Sequence, residues 1–239
     1  CRGILGGRSG ILVRTTNSFR DRYTGLNESV YVYGFPGRRH FALGKLLLKF
    51  TPFVPGVNYL QGPSDILLKN IRAFSGKIER ILSVDDSFDR LFEKNIANYP
   101  FSLRRDAEFI SWRFAMHPEN KYEIWGYRSF FGKSLKSYAV VSFEGNRARL
   151  VDMLGPPSNN MIRDFFGRLA DEFAARGIEF LEAWLPGNHF LTKAAVYSGL
   201  MPHAEPLGII PTGRTFDPEL SFKWSSQNIF YTIADADVL

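Results

Sequence analysis

The sequence is poor in cysteine and lacks any long apolar run. Cys1 is the only cysteine among 239 residues, which excludes a disulfide within the chain. Disulfides are rare in reducing compartments, so this composition fits a cytoplasmic protein, and the terminal position of Cys1 argues against a catalytic thiol. Residues 41–50 are strongly apolar, but Lys45 and Lys49 interrupt them well short of the ~18 residues of a membrane span. We therefore expect a cytoplasmic protein without a membrane span.

Several familiar cofactor and catalytic motifs are also missing from the sequence. It contains no Gly-x-Ser-x-Gly elbow of serine hydrolases, no P-loop and no Gly-x-Gly-x-x-Gly dinucleotide fingerprint. No spacing of His, Cys, Asp and Glu suggests a metal site, so we expect no metal cofactor. The net charge is +6, but the tight basic clusters are only Arg38-Arg39-His40 and Arg104-Arg105. Without a basic and aromatic array that stacks bases, we expect no nucleic-acid partner.

The beginning of the sequence carries the most informative pattern. Residues 6–11 read Gly6-Gly7-Arg8-Ser9-Gly10-Ile11, and an apolar periodic segment follows at once. A glycine-rich loop that opens a helix presents backbone N–H groups at the positive end of the helix dipole. Glycine also lets the backbone approach a ligand closely. The pattern therefore predicts a binding site for phosphate, including the pyrophosphate of a nucleotide cofactor.

Hydrophobic periodicity predicts an α/β protein with a mixed sheet flanked by helices. The pattern loop–helix–strand–loop–helix occurs at 6–50 and again at 155–198, so we expect two similar units, at 1–83 and 84–239. Residues 66–84 are expected to hold one or two strands. The predicted helices are 10–23, 41–50, 88–98, 105–114, 161–176 and 191–197. The predicted strands are 30–33, 122–127, 137–143, 148–154, 178–185, 222–224 and 228–233.

The order of these segments resembles the GNAT superfamily of acyl-CoA-dependent N-acyltransferases, in its bacterial tandem form. Residues 6–11 resemble the cofactor loop Arg/Gln-x-x-Gly-x-Gly/Ala, although Arg2 is one residue too far from Gly6. Other segments that resemble the tandem group are 33–37, 106–122, 151–154 and 232–237. The resemblance implies two GNAT-like units, of which the first is truncated at its N-terminal side.

This resemblance also implies a cofactor and a substrate class. Acyl-CoA, such as acetyl-CoA, would be the co-substrate, with its pyrophosphate at residues 6–11. The acceptor would be an amine on a small molecule, a sugar or a peptide. In the second unit, Gly155-Pro156-Pro157 stands where the cofactor loop should be, and the two prolines remove two N–H donors. We therefore expect acyl-CoA at the first unit.

The resemblance points to Tyr197 as the acid that protonates the leaving thiolate, although a tyrosine at the edge of the core is the alternative. A base must also deprotonate the amine. Glu179 is the predicted base, and Glu182 and Glu28 are other carboxylates that could serve, although a solvated side chain is the commoner role of such a residue.

Other side chains are candidates for contact with the substrate or an anion. Asp152 could act as a base or as a substrate contact. Arg113 could pair with a carboxylate or bind an acidic substrate. His40, beside two arginines, could face an anionic ligand or solvent.

Two other functions remain open at this point. The proline-containing second loop also fits a catalytically silent GNAT-like module that binds a ligand or a partner protein. An aminoacyl-tRNA-dependent transferase of the same tandem fold is the third hypothesis, and it requires a basic groove for tRNA. The acyl chain length and the oligomeric state are left open by the sequence.

Overall fold

A computed structural model describes residues 10–53, 56–64, 76–119, 121–129 and 134–236. The chain divides into two compact units. Unit 1 comprises Cys1–Val57 and Glu205–Asn228, and unit 2 comprises Asn58–Ala204 and Ile229–Leu239. The expected division was 1–83 and 84–239. The strands Tyr59–Pro63 and Gly76–Ile81 precede residue 83 but pair within unit 2, and the strand Thr212–Thr215 follows residue 204 but pairs within unit 1.

Unit 1 contains a three-stranded antiparallel sheet and helices from both of its chain segments. The strands are β1 (Tyr31–Gly34), β2 (Thr51–Pro52) and β11 (Thr212–Thr215), in the order β1-β11-β2. The helices are α1 (Ile11–Tyr23), α2 (Arg38–Leu48) and α7 (Phe222–Asn228). Gly213 on β11 lies so close to Tyr31 and Phe53 that an added Cβ would come within 2.5 Å of the Tyr31 hydroxyl oxygen. The central strand therefore requires glycine at this position.

Helix α1 confirms the predicted helix at 10–23. Gly10 is its N-cap, and Val13 faces the core with 5% of its surface exposed. The helix ends at Thr24, whose hydroxyl donates to the Arg20 carbonyl over 2.8 Å. Arg20 and Arg22 lie in its last turn, where cations interact favourably with the negative end of the helix dipole.

Unit 2 is built on a seven-stranded mixed sheet in the order β10-β3-β9-β8-β7-β6-β4. Its strands are β3 (Tyr59–Pro63), β4 (Gly76–Ile81), β6 (Glu123–Ser129), β7 (Leu135–Glu144), β8 (Arg147–Leu154), β9 (Phe180–Trp184) and β10 (Met201–His203). A separate parallel pair joins β5 (Phe101–Ser102) and β12 (Ile229–Phe230). The helices are α3 (Ser87–Asn95), α4 (Ala107–Ile110), α5 (Asn159–Ala175) and α6 (Phe190–Tyr197).

Helices α3 and α5 cover opposite faces of this sheet. On one face, Phe88 of α3 packs against Tyr138 of β7, with ring centroids 5.2 Å apart. On the other, Phe173 of α5 packs against Phe143 of β7 at the same separation. The apolar face of α5 is fully buried because its aromatic and leucine side chains recur at helical spacing. Gly177 ends the helix with φ of +79°, in the predicted C′ role.

The mixed α/β class is confirmed, but the C-terminal strands are shorter than expected. Residues 222–224 were predicted to form a strand and instead begin α7, and the predicted strand at 228–233 is reduced to β12. The Ser221 hydroxyl accepts from the Trp224 backbone N–H over 3.3 Å, which is N-cap geometry that overrides the strand preference of the aromatic residues. Among the described residues, no helix is both long enough and apolar enough to cross a bilayer.

Candidate active site

The predicted cofactor loop falls only partly within the described residues of unit 1. Gly6, Gly7, Arg8 and Ser9 lie outside them. Gly10 is buried at the N-cap of α1, and Ile11 is 47% exposed in its first turn. The first N–H groups of a helix have no acceptor within the helix, and glycine brings no side chain to cap them. This helix start can therefore offer N–H donors to an anion.

Unit 1 also contains an open, mostly apolar cavity of about 380 Å³. Its walls are the end of β1, the loop that follows β1, residues of α2 and the start of β11. Its volume lies within the range of about 300–1,000 Å³ that is typical of small-ligand pockets. Its apolar walls include Phe35, Pro36, Phe41, Leu43, Leu48 and Phe50.

Three polar side chains line this cavity. Tyr33 is at the end of β1, His40 is in the first turn of α2, and Thr212 begins β11. The Thr212 hydroxyl donates to the Gly34 carbonyl at 3.5 Å, which directs it toward the backbone. Tyr33 and His40 carry a phenol and an imidazole, which are groups that can exchange a proton with a bound molecule.

The net positive charge of the protein lies in unit 1. That unit has eleven Lys and Arg residues against five Asp and Glu, whereas unit 2 has nineteen of each. Helix α2 begins with Arg38, Arg39 and His40 and has no acidic residue in its first turn. Cations are unfavourable at the positive end of a helix dipole. An anion bound nearby would offset this charge, so unit 1 is suited electrostatically to an anionic ligand.

The comparable position in unit 2 is at the end of β8 and β9. These strands are parallel and pair from Arg147 with Phe180 to Leu150 with Ala183. Beyond this point β8 continues to Leu154 without β9 and remains paired with β7. A crevice beyond the carboxyl ends of adjacent parallel strands is a common ligand site in α/β sheets.

An aromatic cluster fills that position in unit 2. The Tyr99 hydroxyl donates to the Gly155 carbonyl over 2.7 Å and accepts from the Gly155 N–H over 3.0 Å. The Tyr99 ring contacts His189 at 5.1 Å and Phe230 at 4.8 Å between centroids. Only 3% of Tyr99 is exposed, and burial raises its pKa, so the phenol stays neutral. The backbone of Gly155 is thus already bonded to protein.

His189 forms another wall of this cluster, here called the Tyr99 cluster (Tyr99, His189, Phe190 and Phe230). It caps α6, because its Nδ1 accepts from the Leu191 backbone N–H over 3.3 Å. Burial lowers the pKa of His189 to about 4, so the ring is neutral at pH 7. The ring of His189 and the phenol of Tyr99 are thus both neutral, and the nearby Arg105 guanidinium is paired with Asp152 and Asp235.

The structure places Asp152 in a buried network rather than at a surface. Asp152 and Arg105 have no exposed side-chain surface, and Arg105 Nε donates to Asp152 Oδ1 over 2.9 Å. The Thr232 hydroxyl donates to Oδ1 over 2.8 Å, and the Tyr138 hydroxyl donates to Oδ2 over 2.6 Å. Both oxygens of Asp152 are therefore occupied by donors of the protein and enclosed, whereas the sequence predicts a base or a substrate contact at this residue.

Arg113 also has protein partners. It lies in a π-helical turn, Ser111–Ala115, that continues α4. Its guanidinium donates to the carbonyls of Ala234 and Ala236, each over 3.1 Å. Arg113 therefore anchors the C-terminal segment to this turn, and the structure brings it to no cavity described above.

The two predicted catalytic residues lie on the surface of unit 2. Tyr197 is the last residue of α6 and is 66% exposed. Glu179 is exposed just before β9 and accepts from the Asn146 side chain over 2.6 Å. Glu182, by contrast, is buried and accepts from the Tyr59 hydroxyl over 2.6 Å and from Arg149 Nε over 2.7 Å. Neither Tyr197 nor Glu179 lines the cavity of unit 1.

Sequence reasoning missed Tyr33 as a site residue and missed the Tyr99 cluster altogether. Tyr33 belonged to an apolar strand pattern, and its position at the strand end was the available signal. Tyr99 follows a 3₁₀ turn at Ile96–Asn98. No local sequence pattern predicts its contact with Gly155, which is 56 positions further along the chain. Contacts of that range are set by the tertiary fold.

Structural comparison finds proteins of the same fold at low sequence identity. A protein of unknown function from Enterococcus faecalis, described as a probable N-acyltransferase, aligns with a TM-score of 0.61 and 11% identity, covering 89% of this chain and 50% of that one. A GCN5-related N-acetyltransferase from Anabaena variabilis aligns with a TM-score of 0.60 and 12% identity, covering 87% and 50%. A tandem GNAT protein from the clavulanic acid biosynthesis pathway aligns at 0.54 and 10% identity, covering 87% and 69%.

The chain thus spans about half the length of the Enterococcus and Anabaena proteins. No protein-family model and no curated protein matches the sequence. The described residues contain no group of three or more His, Cys, Asp or Glu placed to hold a metal ion. The seven-stranded mixed sheet, its flanking helices and these structural neighbours establish that the chain has the GCN5-related N-acetyltransferase fold.

Proposed function

We propose that this protein transfers an acyl group from acyl-CoA to an amine, and that unit 1 binds the acyl-CoA. The observation that carries this proposal is the contrast between the two units. Unit 1 has an open cavity of about 380 Å³ beside the end of β1, whereas the Tyr99 cluster fills the corresponding position in unit 2. The neighbours of the same fold, described as N-acetyltransferases, supply the reaction type.

The charge of unit 1 supports the same assignment. Acyl-CoA carries a pyrophosphate and a further phosphate, and unit 1 holds the surplus of cations. We assign the pyrophosphate to the N-terminus of α1 and the glycine-rich residues 6–11 that lead into it. The thioester would then extend toward the cavity lined by α2.

Acyl transfer needs few groups from the protein. A neutral amine attacks the thioester carbonyl, the C–N bond forms, the C–S bond breaks, and the amine proton must leave while the thiolate gains one. His40 and Tyr33 are the proton-exchanging side chains that line the cavity. We assign His40 as the base for the amine and the Tyr33 hydroxyl as the donor to the thiolate. Tyr197 and Glu179 would take these roles only if unit 2 bound acyl-CoA.

The acceptor is proposed to be an amine on a small molecule, a sugar or a peptide. Because the Tyr99 cluster fills the corresponding position in unit 2, we propose that unit 2 is catalytically silent. The transferase would then be unit 1, and unit 2 would be a GNAT-like module without activity of its own. Its nineteen cations are balanced by nineteen carboxylates, which gives unit 2 no net attraction for tRNA.

Calorimetric titration with acetyl-CoA tests this proposal. We expect saturable binding that weakens at least tenfold in Gly7→Val, because a branched side chain would hinder the approach of the pyrophosphate to the backbone. Gly56→Ala is the control in the same unit, since an added Cβ there meets no atom within 4 Å. Absence of binding by CoA and by every acyl-CoA tested at millimolar concentration would overturn the proposal.

Turnover of an amine panel separates the two units. His40→Gln and Tyr33→Phe should each lower kcat by about ten- to a hundredfold, since proton transfer contributes on this order or more. Tyr197→Phe should leave kcat unchanged. The reverse pattern would move the reaction to unit 2.

A further inference from the structure

Two glycines in the wall of the unit 1 cavity have no conformational reason to be glycine. Gly34 ends β1 and Gly44 is in the middle of α2, and neither has a positive φ. A Cβ on Gly34 would meet nothing within 4 Å, and one on Gly44 would touch only Phe50, at 3.4 Å. Glycine weakens a helix interior relative to alanine. Both glycines line the cavity, where a larger residue would add side-chain atoms to its wall.

The volume is large for the smallest acyl group. A methylene is close in size to a water molecule, which occupies about 30 Å³. The cavity of about 380 Å³ therefore has room for about a dozen such groups, whereas an acetyl group fills only a small part of it. An apolar space of this size is suited to a hydrocarbon chain.

The lining matches such a chain in chemistry as well as in size. Phe41, Leu43, Leu48 and Phe50 come from α2 and the residues after it, and Phe35 closes the side next to β1. The polar lining residues are Tyr33, His40 and Thr212, and the hydroxyl of Thr212 is directed to the Gly34 carbonyl. The lining thus combines two proton-exchanging groups with walls that are otherwise mostly apolar, which is the combination that a polar group with an apolar tail requires.

We propose, on the basis of the function proposed above, that this cavity holds the hydrocarbon chain of a medium-chain acyl-CoA of about six to ten carbons. The polar thioester end lies toward Tyr33 and His40, and the chain occupies the space that Gly34 and Gly44 leave open. The substrate class is therefore a medium-chain acyl thioester rather than acetyl-CoA.

Affinity as a function of chain length tests this proposal. Each methylene buried in an apolar site strengthens binding by about fourfold. We would titrate the full chain by calorimetry with CoA and with its acetyl, butyryl, hexanoyl, octanoyl and decanoyl thioesters. With partial burial, octanoyl-CoA should bind on the order of a hundredfold more tightly than acetyl-CoA. The gain should level off or reverse once the chain exceeds the cavity.

Variants that fill the cavity locate the effect. Gly44→Leu and Gly34→Leu each add a side chain at the wall, and either should bring the affinity for octanoyl-CoA down to that for acetyl-CoA while CoA itself binds as before. Ala42→Leu places a leucine side chain at an exposed position on α2 that does not line the cavity, and it should keep the chain-length dependence. Thermal unfolding checks that each variant is folded. Two cavity-filling variants are used so that the test still stands if one of them does not fold.

The outcomes distinguish the two proposals. Equal affinity for all thioesters, with CoA still bound, overturns the medium-chain assignment and leaves the acyltransferase proposal standing. A chain-length dependence that survives in a folded Gly44→Leu or Gly34→Leu variant places the chain elsewhere and also overturns the assignment. Failure of every CoA compound to bind overturns the proposed function and with it this assignment.

Discussion

Replacement of Asp152 should destabilise unit 2 rather than impair substrate binding. Asp152 shares the buried Arg105 guanidinium with Asp235 and accepts hydroxyl hydrogen bonds from Thr232 and Tyr138. In Asp152→Ala, Arg105 loses one of its two carboxylates and the Tyr138 hydroxyl loses its acceptor. Breaking a buried ion pair by removing one partner costs about 3–5 kcal/mol. That is a large fraction of the roughly 5–15 kcal/mol by which a native protein is stable.

Asp152→Asn separates the charge from the shape of the side chain. The amide keeps the volume and one acceptor oxygen, and Arg105 retains Asp235 as its counter-ion. We therefore expect a smaller loss, of about 1–3 kcal/mol. Glu179→Ala, at an exposed carboxylate, is the control and should change the free energy of unfolding by less than about 0.5 kcal/mol.

Urea unfolding followed by tryptophan fluorescence measures these differences in the appropriate unit. Of the four tryptophans, Trp112, Trp125 and Trp184 lie in unit 2 and Trp224 lies in unit 1. The reasoning fails if Asp152→Ala unfolds within about 1 kcal/mol of the unmodified protein. A variant of normal stability that had lost only its acceptor affinity would restore Asp152 as a substrate contact.

Three further predictions concern packing, pH and salt. Gly76→Ala should destabilise unit 2 by about 1–3 kcal/mol in urea unfolding, because an added Cβ would occupy the space of the Tyr127 hydroxyl; Gly56→Ala is the neutral control, and equal effects of the two would contradict the packing argument. The pKa of His189 is lowered to about 4 in the folded state from about 6.5 in the unfolded state, so its stabilisation is present above pH 6.5 and is lost as the pH falls toward 4. His189→Asn keeps a side-chain acceptor at the helix cap but does not titrate. Its free energy of unfolding in urea should therefore fall less over that pH range than that of the unmodified protein, with a difference of up to about 3 kcal/mol, and identical pH profiles would refute this. Raising KCl from about 0.05 to 0.5 M should weaken acetyl-CoA binding about tenfold, because exposed cations are screened; salt-independent affinity would contradict the role assigned to the charge of unit 1.

The sequence predicted the elements well where a local signal was strong. Gly177 predicted the end of α5, and the glycines before Ile11 predicted the start of α1. Both signals lie in a few adjacent residues and can be read locally. The division into units could not be read in this way. The pairing of β3 with β9, from Tyr59 opposite Trp184 to Pro63 opposite Phe180, joins distant parts of the chain and leaves no local pattern.

The candidate site was predictable only in part, for a related reason. The glycine-rich loop and the two prolines after Gly155 directed attention to the start of each helix, and the cofactor site at residues 6–11 stays a prediction. The Asp152 side chain, however, has the same sequence signature whether it faces a substrate or a buried arginine. Its partner Arg105 lies 47 positions away, so only the fold distinguishes the two.

Hydrogen exchange of the full chain, with and without saturating acyl-CoA, tests the central claim most directly. The account predicts slower amide exchange in the first turn of α1, at the end of β1 and along α2, with no change around Gly155 and the start of α5. Protection confined to the residues around Gly155 and Ser158, with α1 and α2 unaffected, would place the cofactor in unit 2 and contradict the account.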